Sequence, residues 1–95
     1  MASAKAMKRL ERLRRSTANA KPEDIKALYL AFGFVIEPRK GHDRVIHPDY
    51  PDDRDLYGSI PRHRVLAEYV AKQAVELVEK LLILEQAKED RNAKQ

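Results

Sequence analysis

At 95 residues the chain has room for one small core, since a chain of this size buries only about two-thirds of its unfolded surface. It has no cysteine, which removes disulfides and thiolate metal sites, and no apolar run reaches the roughly 18 residues needed to cross a bilayer. The formal net charge is +4, and the cations are clustered: residues 1–21 carry Lys5, Lys8, Arg9, Arg12, Arg14, Arg15 and Lys21 against Glu11 alone. No hydrophobic segment follows that basic start, so no secretory signal is read and a cytoplasmic protein without a membrane partner is expected.

Residues 4–16 have helix-forming composition, with Met7, Leu10 and Leu13 as a thin apolar stripe on a cationic helix. Such a stripe docks on a core but does not build one. Residues 1–21 are therefore read as a basic helical extension, and 22–95 as the domain proper. Pro22 opens a second helix, where its missing N–H costs nothing, and Glu23 and Asp24 suit the positive helix end. Ile25, Leu28, Tyr29 and Phe32 repeat as a buried helical face, and Gly33 supplies a C-terminal stop.

Phe34 to Glu37 is a strand signal ended by Pro38; Arg39 to His42 makes the connection, and Arg44 to His47 is the second strand. The stretch from Pro48 to Asp53 is a loop, because two prolines and three aspartates cannot hold a ladder. Leu56 to Ile60 reads as a third strand closed by Pro61. From about Val65 to Asn92 the pattern is helical, with Leu66, Val70, Ala74, Leu77, Leu81 and Leu84 forming one seam. A helix of about 28 residues spans roughly 42 Å. That exceeds the 17–20 Å or so of a strand, so its last turns are expected to meet the N-terminal helix, to meet a second copy, or to have no partner and fray, and a homodimer through this helix is one reading. The order gives an α+β fold: a three-stranded antiparallel sheet with helices on one face and the other face open. Double-stranded-RNA-binding modules share this α-β-β-β-α order.

The runs Phe32-Gly33-Phe34, Arg39-Lys40-Gly41-His42, Val45-Ile46-His47-Pro48 and Ile60-Pro61-Arg62-His63, in this order and spacing, resemble the HicA toxins, small ribonucleases of HicA–HicB toxin–antitoxin pairs. The resemblance covers residues 22 to about 82. The added N-terminal helix and the Tyr69-Val70-x-x-Gln73-Ala74-Val75 pattern are similar to one subgroup. It implies an mRNA interferase, an endoribonuclease needing no metal, and a HicB-like antitoxin that covers the active face. It also implies one catalytic histidine at the start of the second strand, after glycine and a small hydroxyl residue. Here the run is Lys40-Gly41-His42-Asp43, without that hydroxyl residue. One alignment puts His42 in the catalytic place; another puts Asp43 there and predicts a weak or dead enzyme.

Metal-free RNA cleavage needs a base for the ribose 2′-OH and positive charge at the phosphate. Histidine ordinarily titrates near neutrality and suits the first task. His42 is the candidate catalytic residue, with Arg39, Lys40 and Arg44 as phosphate contacts. Arg62, His63 and Arg64, ahead of the last helix, are further RNA-binding candidates. Tyr57, facing opposite to Leu56 and Ile60, is placed on the open sheet surface, where it can stack on a base. His47 reads as structural. No pair of histidines has metal-ligand spacing, so neither metal nor cofactor is expected. Two rivals stay open from the residues alone: an RNA-binding module of the same fold without chemistry, and an assembly protein that pairs through the Leu66-to-Leu84 seam.

Overall fold

The computed structural model describes residues 3–62 and 68–93. In chain order these form α1 (Ala4–Arg15), α2 (Pro22–Ala31), β1 (Val35–Arg39), β2 (His42–Ile46), β3 (Gly58–Pro61) and α3 (Glu68–Ala93), with single 3₁₀ turns at Thr17–Asn19 and Arg54–Leu56. The strands pair antiparallel in the order β1-β2-β3. The helices pack on one sheet face, giving the expected α+β layout. Among the described residues, no helix is long and apolar enough to cross a membrane.

Local chemistry accounts for the element boundaries. Ser3 caps α1, its hydroxyl accepting from the Ala6 N–H at 3.1 Å. Pro22 sits in the first turn of α2, and the Asp24 carboxylate accepts from the Lys21 N–H at 3.3 Å. Gly33 stops α2 with φ +85°, a conformation that disfavours a Cβ. Gly41 has φ +80° while Lys40 before it does not enter positive φ; positive φ at the second central residue alone is the signature of a type II turn. The β1–β2 connection is therefore the two residues Lys40 and Gly41, with Arg39 and His42 already paired across it.

The strands differ from the sequence expectation by two residues at three ends. β1 continues through Pro38 to Arg39, because an edge strand tolerates a residue without an N–H. β2 begins at His42 and not Arg44. β3 begins at Gly58: the Asp53 carboxylate accepts from the Asp55 N–H at 3.0 Å and holds Arg54–Leu56 in a 3₁₀ turn, so Leu56 enters the core from a turn.

The core lies between sheet and helices. Leu28, Tyr29, Phe34, Val45, Leu56, Ile60, Val70, Val78 and Leu81 are all buried there. Tyr29 and Phe34 meet edge to face with centroids 5.2 Å apart, a favoured aromatic geometry. Gly58 is needed for closeness: a Cβ there would stand 2.8 Å from Leu77 Cδ1 and 2.9 Å from Tyr29 Oη. The Tyr29 hydroxyl is buried with no hydrogen-bond partner among the described residues, and burial pushes its ionisation above the ordinary phenol range.

α1 docks on α2 and α3 through Ala6, Leu10 and Leu13, and Leu10 is fully buried in the shared core. Met7, expected in that stripe, is 39% exposed. The seam of α3 is used inside the chain: Val70, Ala74, Leu77 and Leu81 are all buried against the same core, while Leu66 lies outside the described residues. Leu84 at the end of the seam is half-buried, and the turns from Gln86 to Ala93 stand exposed throughout.

Candidate active site on the open sheet face

Side chains alternate across β2, and the alternation assigns each residue a face. Asp43, Val45 and His47 are buried toward the helices; His42 is exposed and Arg44 half-buried on the other side. Cross-strand partners share a face, so Arg39 and Pro61 flank His42, while Glu37 and Ser59 flank Arg44. The open face thus carries a corner built from Arg39, Lys40 and His42, with Arg44 two residues further in. Directly opposed Cβ atoms in such a ladder stand about 5 Å apart, close enough for Arg39 and His42 to act on one phosphodiester.

The local partners leave these side chains available. Arg39 reaches Glu37 at 3.4 Å, a solvent-exposed pair of the kind that contributes only about 0–1 kcal/mol and yields to a phosphate. Lys40 is exposed and has no carboxylate partner among the described residues. His42 makes no side-chain hydrogen bond among the described residues. The Arg44 guanidinium lies over the Tyr57 ring, 5.2 Å from its centroid, and the Tyr57 hydroxyl donates to the Pro51 carbonyl. Tyr57 is half-buried and precedes β3 without belonging to it, so one ring face is covered by Arg44.

Arg62 is committed elsewhere. Its Nε and Nη2 both donate to Asp43 Oδ1, at 3.1 and 2.9 Å, and Lys26 Nζ stands 3.3 Å from Asp43 Oδ2. The Asp43 side chain is buried, and the Arg62 hydrogen bonds, reinforced by Lys26, hold its carboxyl below the ordinary value of 3.8. The Arg62 N–H also donates to the Gly41 carbonyl at 3.3 Å. This cluster ties the hairpin mouth to the segment after β3 and to α2. Within it Asp43 is turned inward and doubly paired, while His42 on the other face is accessible. Lys26 carried no role in the sequence reading, and Asp43 entered it only as the residue that a shifted alignment puts in the catalytic place. The available signal was a charged residue on the inward register of a strand whose other inward residues, Val45 and His47, are buried. His63 and Arg64 lie outside the described residues.

His47 has a different setting. It is 3% exposed; its Nδ1 accepts from the Asp49 N–H at 3.2 Å and its Nε2 donates to the Phe32 carbonyl at 3.2 Å. The first bond fixes the proton on Nε2. The ring packs edge-on against Phe34 at 4.9 Å between centroids, so it is a core residue. Among the described residues, no group of three histidine or carboxylate side chains is placed to hold a metal ion.

Compared with known proteins, the chain matches no family model, no curated protein and no solved structure.

Proposed function

We propose that the chain is a HicA-like toxin, a cytoplasmic endoribonuclease that cleaves mRNA with His42 on the open face of its sheet. The observation that carries this reading is the exposed corner in which His42 stands opposite Arg39 and beside the Lys40 turn. The chemistry needs no metal. His42 takes the proton of a ribose 2′-OH; the 2′-oxygen forms a bond to the adjacent phosphorus; the bond from phosphorus to the 5′-oxygen breaks. The products are a 2′,3′-cyclic phosphate and a 5′-hydroxyl, whose oxygen takes its proton from water. Arg39 and Lys40 stabilise charge on the non-bridging oxygens, and Arg44 with Tyr57 holds the neighbouring nucleotide. One histidine without a partnered acid gives modest turnover, since each proton transfer assisted by a side chain contributes about 10²–10⁴-fold. A HicB-like antitoxin would silence the enzyme by covering the same sheet face.

RNA incubated with purified protein in EDTA is the test. Cleavage that leaves 2′,3′-cyclic phosphate ends, and that His42→Ala removes without unfolding the protein, is the expected result. One observation favours a second reading: no hydrogen bond orients the His42 ring among the described residues. Binding of RNA by wild type and His42→Ala alike, with no cleavage by either, would make the protein an RNA-binding module of the same fold.

A further inference from the structure

The exposed side of α1 is the largest group of cations that the sheet site does not use. At 100° per residue, Lys5, Lys8, Arg9 and Arg12 fall within one arc of about 100°, beside the arc of the buried Ala6, Leu10 and Leu13. All four are exposed and none has a carboxylate within ion-pair distance among the described residues. The acidic groups nearby are already engaged. Glu11, the one acidic residue of α1, pairs with Arg14 and Arg15 at the edge of the arc. Asp24, which lines a groove with Arg9 and Arg12, caps the Lys21 N–H. α1 packs on α2 and α3, on the helical side of the molecule, whereas the His42 side chain is on the other face of the sheet.

We infer that this face of α1 is a second, sequence-independent docking surface for the RNA backbone. Three features favour a polyanion. The residues are point charges and forks, with Met7 and the exposed Leu30 of α2 as the large apolar side chains beside them among the described residues, whereas protein interfaces are held by clusters of aromatic and aliphatic anchors. The apolar stripe of α1 is spent in the core, so the helix has no face left to bury in a membrane. From Lys5 to Arg12 the cations cover about 10 Å of helix rise, a length over which a duplex presents several phosphates. Neutralising them releases counterions, which gives this surface a salt dependence of its own. The choice of RNA as the polyanion rests on the nuclease reading; the surface itself does not need the reaction.

The experiment measures binding of a fully 2′-O-methylated RNA, which has no free 2′-OH to attack, between about 50 and 200 mM salt. Wild type is compared with the fourfold variant K5A/K8A/R9A/R12A, with K5R/K8R, and with His42→Ala. Alanine is the strongest helix former and the positions are exposed, so circular dichroism should show the helix content kept. The fourfold variant is expected to flatten the slope of log affinity against log salt by about 3, from roughly 0.7 for each single-strand phosphate contact. K5R/K8R and His42→Ala should keep the wild-type slope. An unchanged slope in the fourfold variant overturns the proposal. So does loss of binding to phosphatidylserine vesicles with the RNA slope intact, which would make the face a membrane surface. Failure of the wild type to cleave unmodified RNA overturns the nuclease reading alone.

Discussion

His42 opens β2 and His47 follows it by five residues, and the odd separation sends the two rings to opposite sides of the sheet. His42 stands in solvent beside Arg39 and Lys40 with no side-chain hydrogen bond among the described residues, while His47 is enclosed by Phe34 and Tyr50 with both ring nitrogens bonded. The same side chain is exposed to solvent at one end of the strand and a structural element just past the other. Burial and partners decide which. Each ring also has a glycine in the left-handed region beside it, Gly41 in the turn before His42 and Gly33 against His47.

The comparison breaks most readily by truncation. His47→Ala should cost about 2–4 kcal/mol, because it opens a cavity and strands the Phe32 carbonyl and the Asp49 N–H. His42→Ala should change stability by less than about 0.5 kcal/mol. Urea denaturation of the two variants measures both, and equal losses would contradict the division between the two ends.

The two glycines sharpen the same contrast with a smaller effect. Gly41→Ala meets open space and carries only the left-handed backbone penalty, about 1 kcal/mol. Gly33→Ala adds a Cβ at 3.3 Å from His47 Nε2, so its loss should be nearer 2 kcal/mol. Denaturation midpoints that rank them the other way would place the crowding elsewhere.

The smallest effect concerns Asp43, which anchors the hairpin behind His42. Its folded carboxyl titrates below the ordinary 3.8 because Arg62 and Lys26 favour the anion. Near that ordinary value the unfolded chain therefore binds more protons than the folded one, so the stabilisation is present above it and is lost as pH falls through the folded value. Asp43→Asn should lower stability by about 1 kcal/mol near neutral pH, and the gap to wild type should close well below the ordinary carboxylate range. A gap that persists at acid pH would mean that packing, and not charge, fixes this residue.

Much of this arrangement was legible in the sequence because it is local. The 3.6-residue spacing of Ile25, Leu28, Tyr29 and Phe32 gave the buried face of α2, and Gly41 marked the turn that presents His42. The rest depended on contacts that spacing does not encode. Leu56 and Tyr57 alternate like a strand, yet the Asp53 cap bends their segment into a 3₁₀ turn. On the α1 wheel Ala6 falls between Leu10 and Leu13 and Met7 about 60° beyond Leu10, and the fit against α2 and α3 buries the smaller. Asp43 finds Lys26 and Arg62 far away in the chain, so the ion cluster that engages Arg62 exists only once the fold has formed.

The most direct measurement is the cleavage of RNA in EDTA by wild type, His42→Ala and His47→Ala at a temperature where all three are folded. The account predicts 2′,3′-cyclic phosphate products from wild type and from folded His47→Ala, and none from His42→Ala. Cleavage by His42→Ala at the wild-type rate would contradict it.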